Sequence, residues 1–342
     1  MKRFFCILLT LMLFACSAQA RDAQSSSLPP ELPDETSAET FSPEPTPSPT
    51  PEPTPSPTPE PTPAPPDPFT MVWVSDTQTM VVVGFLQQSY ADMCDWIANE
   101  AESRNFAAYL HTGDMVDNGD NRNQWKTFNN GLEKIAEKMP FFWAVGNHDE
   151  GYEDRKPWKE QPFLASIPEE QKYQGGEADY MVLEVGDVRL LLLSVSYRSS
   201  YDDAALAWLR EAAEAHSDLP AILLVHVYVT VNGEPTKRAM PIEENLVSRC
   251  PNIRLILCGH ARGIVRTAFL YDDDGDGTPE RTVNVLMNDL QADTDRPGYV
   301  NLLTYNPADN SLSVTSYSPC VDDEIYDDEH PELERFTIEN VF

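Results

Sequence analysis

Phe141-Phe142-Trp143-Ala144-Val145-Gly146-Asn147-His148-Asp149 decides how the rest of this chain reads. Five apolar residues in a row leave no polar face, the pattern of a strand buried on both sides. The run then breaks into a turn glycine, an amide oxygen, an imidazole and a carboxylate. Those groups pack a core poorly, but they ligate cations and move protons. Alone this ending is a weak signal, and its weight depends on whether other apolar runs end alike.

Four others do. The run at 71–75 leads into Asp76-Thr77-Gln78, and 106–112 into Gly113-Asp114-Met115-Val116-Asp117. The run at 221–225 leads into His226, and 253–258 into Gly259-His260-Ala261-Arg262. Carboxyl ends of strands in an α/β sheet gather at one edge. The pattern therefore predicts a cluster of Asp76, Asp114, Asn147, His226 and His260. Oxygen mixed with imidazole nitrogen suits Zn, Mn or Fe, and the set lacks the thiolates of a structural zinc site. A single Asp after a strand commonly caps a helix or forms a turn. Five such endings in one chain go beyond capping.

Between these runs the spacing is helical around Met93, Trp96, Ile97 and Ala101, along Trp125, Phe128, Leu132, Ile135 and Met139, and over 204–215. The runs 180–185 and 188–195 flank Gly186-Asp187 and read as a hairpin. Beyond Ile264 strands and turns replace helices. Residues 69–342 thus read as one α/β layered domain with a β-rich end.

Upstream, residues 1–20 read as a leader. Lys2 and Arg3 precede an apolar stretch to Phe14 that is short for a bilayer span. Leu13-Phe14-Ala15-Cys16 has the form of a lipobox, and Ala18-Gln19-Ala20 that of an ordinary cleavage site. Because the apolar stretch abuts the cysteine, the expectation is an extracytoplasmic protein anchored in the membrane through lipidated Cys16, with secretion as the alternative. Residues 21–68 hold 17 of the 30 prolines. Proline at alternate positions favours extended polyproline II, so this reads as a Pro/Thr/Ser/Glu-rich linker of semi-rigid, solvated character.

The 24 Lys+Arg against 56 Asp+Glu give a net charge of -32. That excludes nucleic-acid binding through a basic face. An anionic substrate would need a local reversal of the field, which bound cations commonly supply. Cys94, Cys250, Cys258 and Cys320 have no metal-type spacing, which leaves disulfides and buried thiols both open. Asp272-Asp273-Asp274-Gly275-Asp276-Gly277 fits the start of a calcium loop. Its twelfth position is Val283 and its flanks are strand-like, so a solvated hairpin turn is expected. The acidic run 322–334 reads as hydrated surface.

Taken in order over 71–262, the five endings resemble the calcineurin-like metallophosphoesterase superfamily. Its blocks read Asp-x-His, Gly-Asp-x-x-Asp, Gly-Asn-His-Asp/Glu, His and Gly-His-x-His. The tail is similar to an extracellular bacterial branch, through Asn288 to Gln291, Gly298-Tyr299 and the Ser316 to Pro319 strand. The resemblance implies an α/β fold, a four-layer α/β/β/α sandwich of two mixed sheets. It implies metal-dependent hydrolysis of a phosphate monoester or diester by metal-activated water, with one or two Mn, Fe or Zn ions. The substrate would be a phosphorylated small molecule or a cell-surface phosphoester. Asp114 would bridge the two metals, and Asn147, His226 and His260 would complete one site.

The other site would keep Asp76 but has Gln78 and Arg262 where the family has histidines. Gln78 still offers an oxygen. Arg262 has no lone pair to give and stays charged. It would bind a substrate phosphate oxygen or turn outward to the many acids, and both readings stay open. His148 would act as general acid near the leaving group, oriented by Asp117. Asp149 would hold the loop. The alternative reading is a catalytically impaired surface-binding protein on the same scaffold. Loops at 150–179 and 228–241 would shape the pocket.

Overall fold

The apolar runs form strands, most of them buried on both faces. The computed structural model describes residues 66–291 and 293–342. The leader at 1–20, Cys16 and nearly all of the linker at 21–68 lie outside the described residues.

Strands β1 (Phe69–Val74), β2 (Phe106–His111), β3 (Phe141–Trp143), β11 (Val300–Asn306), β12 (Ser311–Tyr317) and β13 (Phe336–Ile338) make one sheet, ordered β13-β12-β11-β1-β2-β3. Strands β4 (Lys172–Tyr173), β5 (Ala178–Val185), β6 (Val188–Val195), β7 (Ala221–Val225), β8 (Ile253–Cys258), β9 (Gly263–Tyr271) and β10 (Arg281–Asp289) make the other, ordered β4-β5-β6-β7-β8-β10-β9. Both are mixed. β1, β2 and β3 run parallel, as do β6, β7, β8 and β10.

Parallel neighbours need long crossovers, and helices supply them. Helices α1 (Gln78–Val82) and α2 (Gln87–Glu100) join β1 to β2, and α3 (Arg122–Ala136) joins β2 to β3. In the second sheet α4 (Asp203–Ala215) joins β6 to β7 and α5 (Ala239–Asn245) joins β7 to β8. Asn121 caps α3, its side chain accepting from the Asn123 and Gln124 amides, and Asp202 does the same for α4. Each cap stabilises its helix by about 1 kcal/mol.

Side-chain alternation separates the layers. Leu190, Leu192, Ile222, Leu224, Leu255 and Leu257 join the core shared with the first sheet. Their neighbours Leu191, Leu193, Leu223, Val225 and Ile256 pack with Leu206 and Leu209 of α4 and Ile242 of α5. The result is a four-layer α/β/β/α sandwich.

Three local features differ from, or add to, the sequence reading. β3 stops at Trp143: Ala144 keeps one bond to β2, and Val145 then turns to the chain that follows β6 of the other sheet. The Ala144 amide donates to the His111 carbonyl at 2.8 Å, and the Val145 carbonyl accepts from the Tyr197 amide at 2.9 Å. Residues 152–171 form short 3-10 turns around fully buried Trp158. The acidic 272–277 stretch is the β9–β10 hairpin turn, in which Asp272 accepts from the Gly275 and Gly277 amides at 2.6 and 2.8 Å. Cys94, Cys250, Cys258 and Cys320 are free. No helix among the described residues is long and apolar enough to cross a membrane.

Candidate metal centre

The parallel strands of both sheets point their carboxyl ends to one place. Asp76 follows β1, Asp114 follows β2, Asn147 follows β3, His226 follows β7 and His260 follows β8. Asp76, Asp114 and His260 all adopt left-handed backbone, with φ of 57°, 53° and 73°. Non-glycine residues rarely hold that conformation without a surrounding structure that enforces it, and such strain gathers at functional sites. The turns interlock. The Asp76 amide donates to the Gly113 carbonyl and the Gln78 amide to the Asp114 carbonyl, both at 3.0 Å. Asp76 Oδ2 accepts from the His260 amide at 2.9 Å, and Asp114 Oδ1 from the His148 amide at 2.8 Å.

Two glycines allow this crowding. A Cβ on Gly146 would meet the Asp114 amide nitrogen and Oδ1 at 2.2 Å, and one on Gly259 would meet Ser75 Oγ at 1.9 Å. Asp149 ties the turn down from below, accepting from the Val116 and Gly146 amides at 3.1 and 2.8 Å. Its carboxyl is pushed up to about 7 by burial and by nearby Asp114.

His226 stands at the middle. Its Nδ1–H donates to the Thr112 carbonyl at 2.8 Å, which turns Nε2 toward the cluster. Around that Nε2 lie Asn147 Oδ1 at 3.1 Å, His260 Nδ1 at 3.1 Å and Asp114 Oδ2 at 3.2 Å. Four donor groups with lone pairs converge where one proton at most could be shared, an arrangement that fits a cation. Electrostatics agree. Burial works against charge on His226, yet Asp114 holds its pKa up at about 10. Asp76, fully buried, is raised well above the carboxylate range by burial, with Asp289 and Asp114 adding to it. The place favours positive charge and has a surplus of carboxylate.

A calcineurin-like phosphoesterase family model matches residues 69–261, more than half of the chain. The chain belongs to the calcineurin-like phosphoesterase family. Within it, the uncharacterized protein YvnB of Bacillus subtilis (strain 168) is 29% identical over 274 residues, 77% of this chain but 21% of YvnB. The chain therefore spans about a fifth of that relative. Among solved structures, purple acid phosphatase PPD1 from yellow lupin (Lupinus luteus) seeds superposes with a TM-score of 0.55 at 13% identity, covering 80% of this chain and 54% of that one. That likeness shows the fold.

The calcineurin-like centre gathers the sequence-predicted residues unequally. Asp114, His226 and His260 offer ligand atoms that all lie within 4.8 Å of one another, and Asn147 touches His226. On the other side, Asp76 Oδ1 and Gln78 Oε1 are shut off from solvent with no hydrogen-bond partner among the described residues. Arg262 is exposed, and its charge is felt by Asp289, Asp293 and Tyr326. His148 sits at the rim with its side chain 41% exposed. Its Nδ1 donates to the Asp117 carbonyl oxygen at 2.9 Å, with the Asp117 carboxylate further off at 3.4 Å. The backbone of Asp117 thus orients the ring more closely than its side chain, leaving Nε2 free.

Sequence reading missed several residues here. His111, fully buried, accepts from the Gly113 amide through Nδ1 at 3.1 Å and meets Thr77 Oγ1 at 3.2 Å, joining two of the turns. Burial and then His226 depress it to about 3, so it is neutral. Tyr197 lies 6.0 Å from the His226 ring and 6.3 Å from that of His260, and the Arg238 guanidinium stacks on it at 3.6 Å. Asp289, at the end of β10, is the fourth. His111, Tyr197 and Arg238 stand in no recognisable motif, and Asp289 lies inside the Asn288 to Gln291 tail element, which assigned it no role.

Proposed function

We propose that this protein hydrolyses a phosphate ester, monoester or diester, outside the cytoplasm. Cys16 would tether it to a membrane and the proline-rich linker would hold the domain away from the surface. The observation that carries the hydrolytic reading is the convergence of Asp114, Asn147 and His260 on His226 Nε2 beneath an exposed histidine.

Asp114, Asn147, His226 and His260 would hold one cation, and Asp76 and Gln78 would share in a second beside Asp114. Cations bound there, Mn, Fe or Zn, supply Lewis acidity toward the phosphoryl oxygens and the attacking water. The chain's own residues do the rest. His148 Nε2, with the ring fixed through Nδ1, is placed to give a proton to the leaving-group oxygen. The His148 amide, bonded to Asp114, locks that ring to the ligand shell. Arg238, held flat on Tyr197 beside His260, offers a fixed cationic fork at the rim. In a chain of net charge -32 it gives an anionic substrate a local landing point.

The test is turnover of p-nitrophenyl phosphate and bis-p-nitrophenyl phosphate by the purified protein, with EDTA and then with Mn2+, Zn2+ or Fe2+ restored. The proposal expects at least one substrate to be hydrolysed, the activity to vanish with EDTA and to return with metal. If neither turns over while the protein still binds metal, the surface-binding alternative replaces it.

A further inference from the structure

The half of the centre that has lost two histidines contains a carboxylate inside the Asn288 to Gln291 tail element, Asp289, to which the sequence reading gave no role. β9 and β10 form a hairpin, and the strand that pairs with β8 is the second of the two, β10. β10 runs parallel to β8, with Met287 opposite Cys258. Two residues on, Asp289 emerges at the same edge as Gly259 and His260, opposite Gly263 of β9. Had β9 taken the inner place, antiparallel to β8, residue 289 would lie elsewhere.

Asp289 is 7% exposed, and its Oδ1 is shut off from solvent with no hydrogen-bond partner among the described residues. The His260 backbone, beside which the register of β10 places Asp289, donates its amide to Asp76 Oδ2 at 2.9 Å. Asp76 Oδ1 and Gln78 Oε1 are orphaned in the same way. Three sequestered oxygens without donors, two of them on carboxylates that lie beside a third on Asp114, form an arrangement that a protein alone leaves unsatisfied. Arg262 is exposed and has no lone pair with which to serve as a ligand there.

We infer that Asp289 joins Asp76 and Gln78 in an all-oxygen second cation position, taking the place of the histidine that Arg262 cannot supply. This rests on the metal-dependent reading above and goes beyond it. Oxygen-only donor sets suit harder divalent cations such as Mn2+ or Mg2+, whereas the Asn147–His226–His260 position keeps imidazole donors. The two positions would then differ in kind, one set by nitrogen and one by oxygen.

The experiment titrates Mn2+ into the metal-free protein by equilibrium dialysis with elemental analysis, for the parent and for Asp289→Asn. The parent is expected to take two Mn2+ per chain. Asp289→Asn should keep the tighter one unchanged and bind the second at least tenfold more weakly. Thermal unfolding in EDTA separates this from a packing role. With like charges relieved and no cation to lose, Asp289→Asn should melt no lower than the parent. Two Mn2+ bound by the variant with parental affinity would overturn the inference, as would a parent that takes only one. A drop in the EDTA melting point with unchanged Mn2+ binding would make Asp289 a packing residue and overturn it too. A parent that binds no metal at all would instead remove the hydrolytic reading.

Discussion

The two halves of the centre solve the same problem in opposite ways. Around His226 the donor atoms of Asn147, His260 and Asp114 all meet one nitrogen, Nε2. Around Asp76 one oxygen each of Asp76, Gln78 and Asp289 has no hydrogen-bond partner among the described residues. The nitrogen half is organised by its side chains, which converge on the single imidazole of His226. The oxygen half is held by the backbone, through the left-handed turn at Asp76 and the amides of His260 and Gln78. The contrast teaches that a ligand shell can be fixed either by its side chains or by the turns beneath them. Losing a ligand should hurt the first kind far more than the second.

His226→Ala against Gln78→Ala tests that ranking most severely. His226→Ala removes the residue on which three others converge. It should abolish tight metal binding and cost several kcal/mol of transition-state stabilisation, about 10³-fold or more in kcat/KM. Gln78→Ala removes one neutral oxygen and should cost about tenfold, roughly 1.4 kcal/mol, with one tight metal retained. Equal losses would break the comparison. His148→Ala touches neither half. Its turnover should fall about 10²- to 10⁴-fold, the range for removing a general acid, while metal content measured on the same samples stays at the parental value.

The smallest expected effect is a control on buried carboxylates as such. Asp179, 1% exposed and also with an orphaned Oδ1, lies in β5 and is pushed up to about 8 by burial. Its folded pKa exceeds the unfolded one, so its favourable contribution is full below about pH 4 and is lost as pH rises through about 8. Urea unfolding in EDTA should show that the parent loses stability over this window and that Asp179→Asn loses less. Mn2+ binding should not change. If it did, an orphaned carboxylate alone would not mark the oxygen half.

Much of this was legible in the sequence, and the reason is physical. Strands buried on both faces carry few polar residues, so Asp76, Asp114, Asn147, His226 and His260 stand out where each run ends. The same alternation and helix spacing located the hairpin at Gly186-Asp187 and the helices that cover each sheet. The apolar run at 141–145 promised a longer strand than β3, because hydrophobicity reports burial and not pairing. Ala144 and Val145 are buried between the two sheets instead. Asp289 stood inside the Asn288 to Gln291 element, but its place at the centre could not be read because it depends on which strand of the β9–β10 hairpin meets β8. Tyr197 and Arg238 escaped for another reason. They meet by stacking between loops, and stacking leaves no spacing in a sequence.

The most direct test pairs metal content with turnover for the parent and Asp114→Asn, the one ligand that both halves share. Both quantities are measured on the same dialysed samples supplied with Mn2+. The account predicts that the parent holds metal and hydrolyses p-nitrophenyl phosphate or its diester, and that Asp114→Asn loses metal from both positions along with nearly all activity. An Asp114→Asn protein that turns over substrate at the parental rate would contradict it.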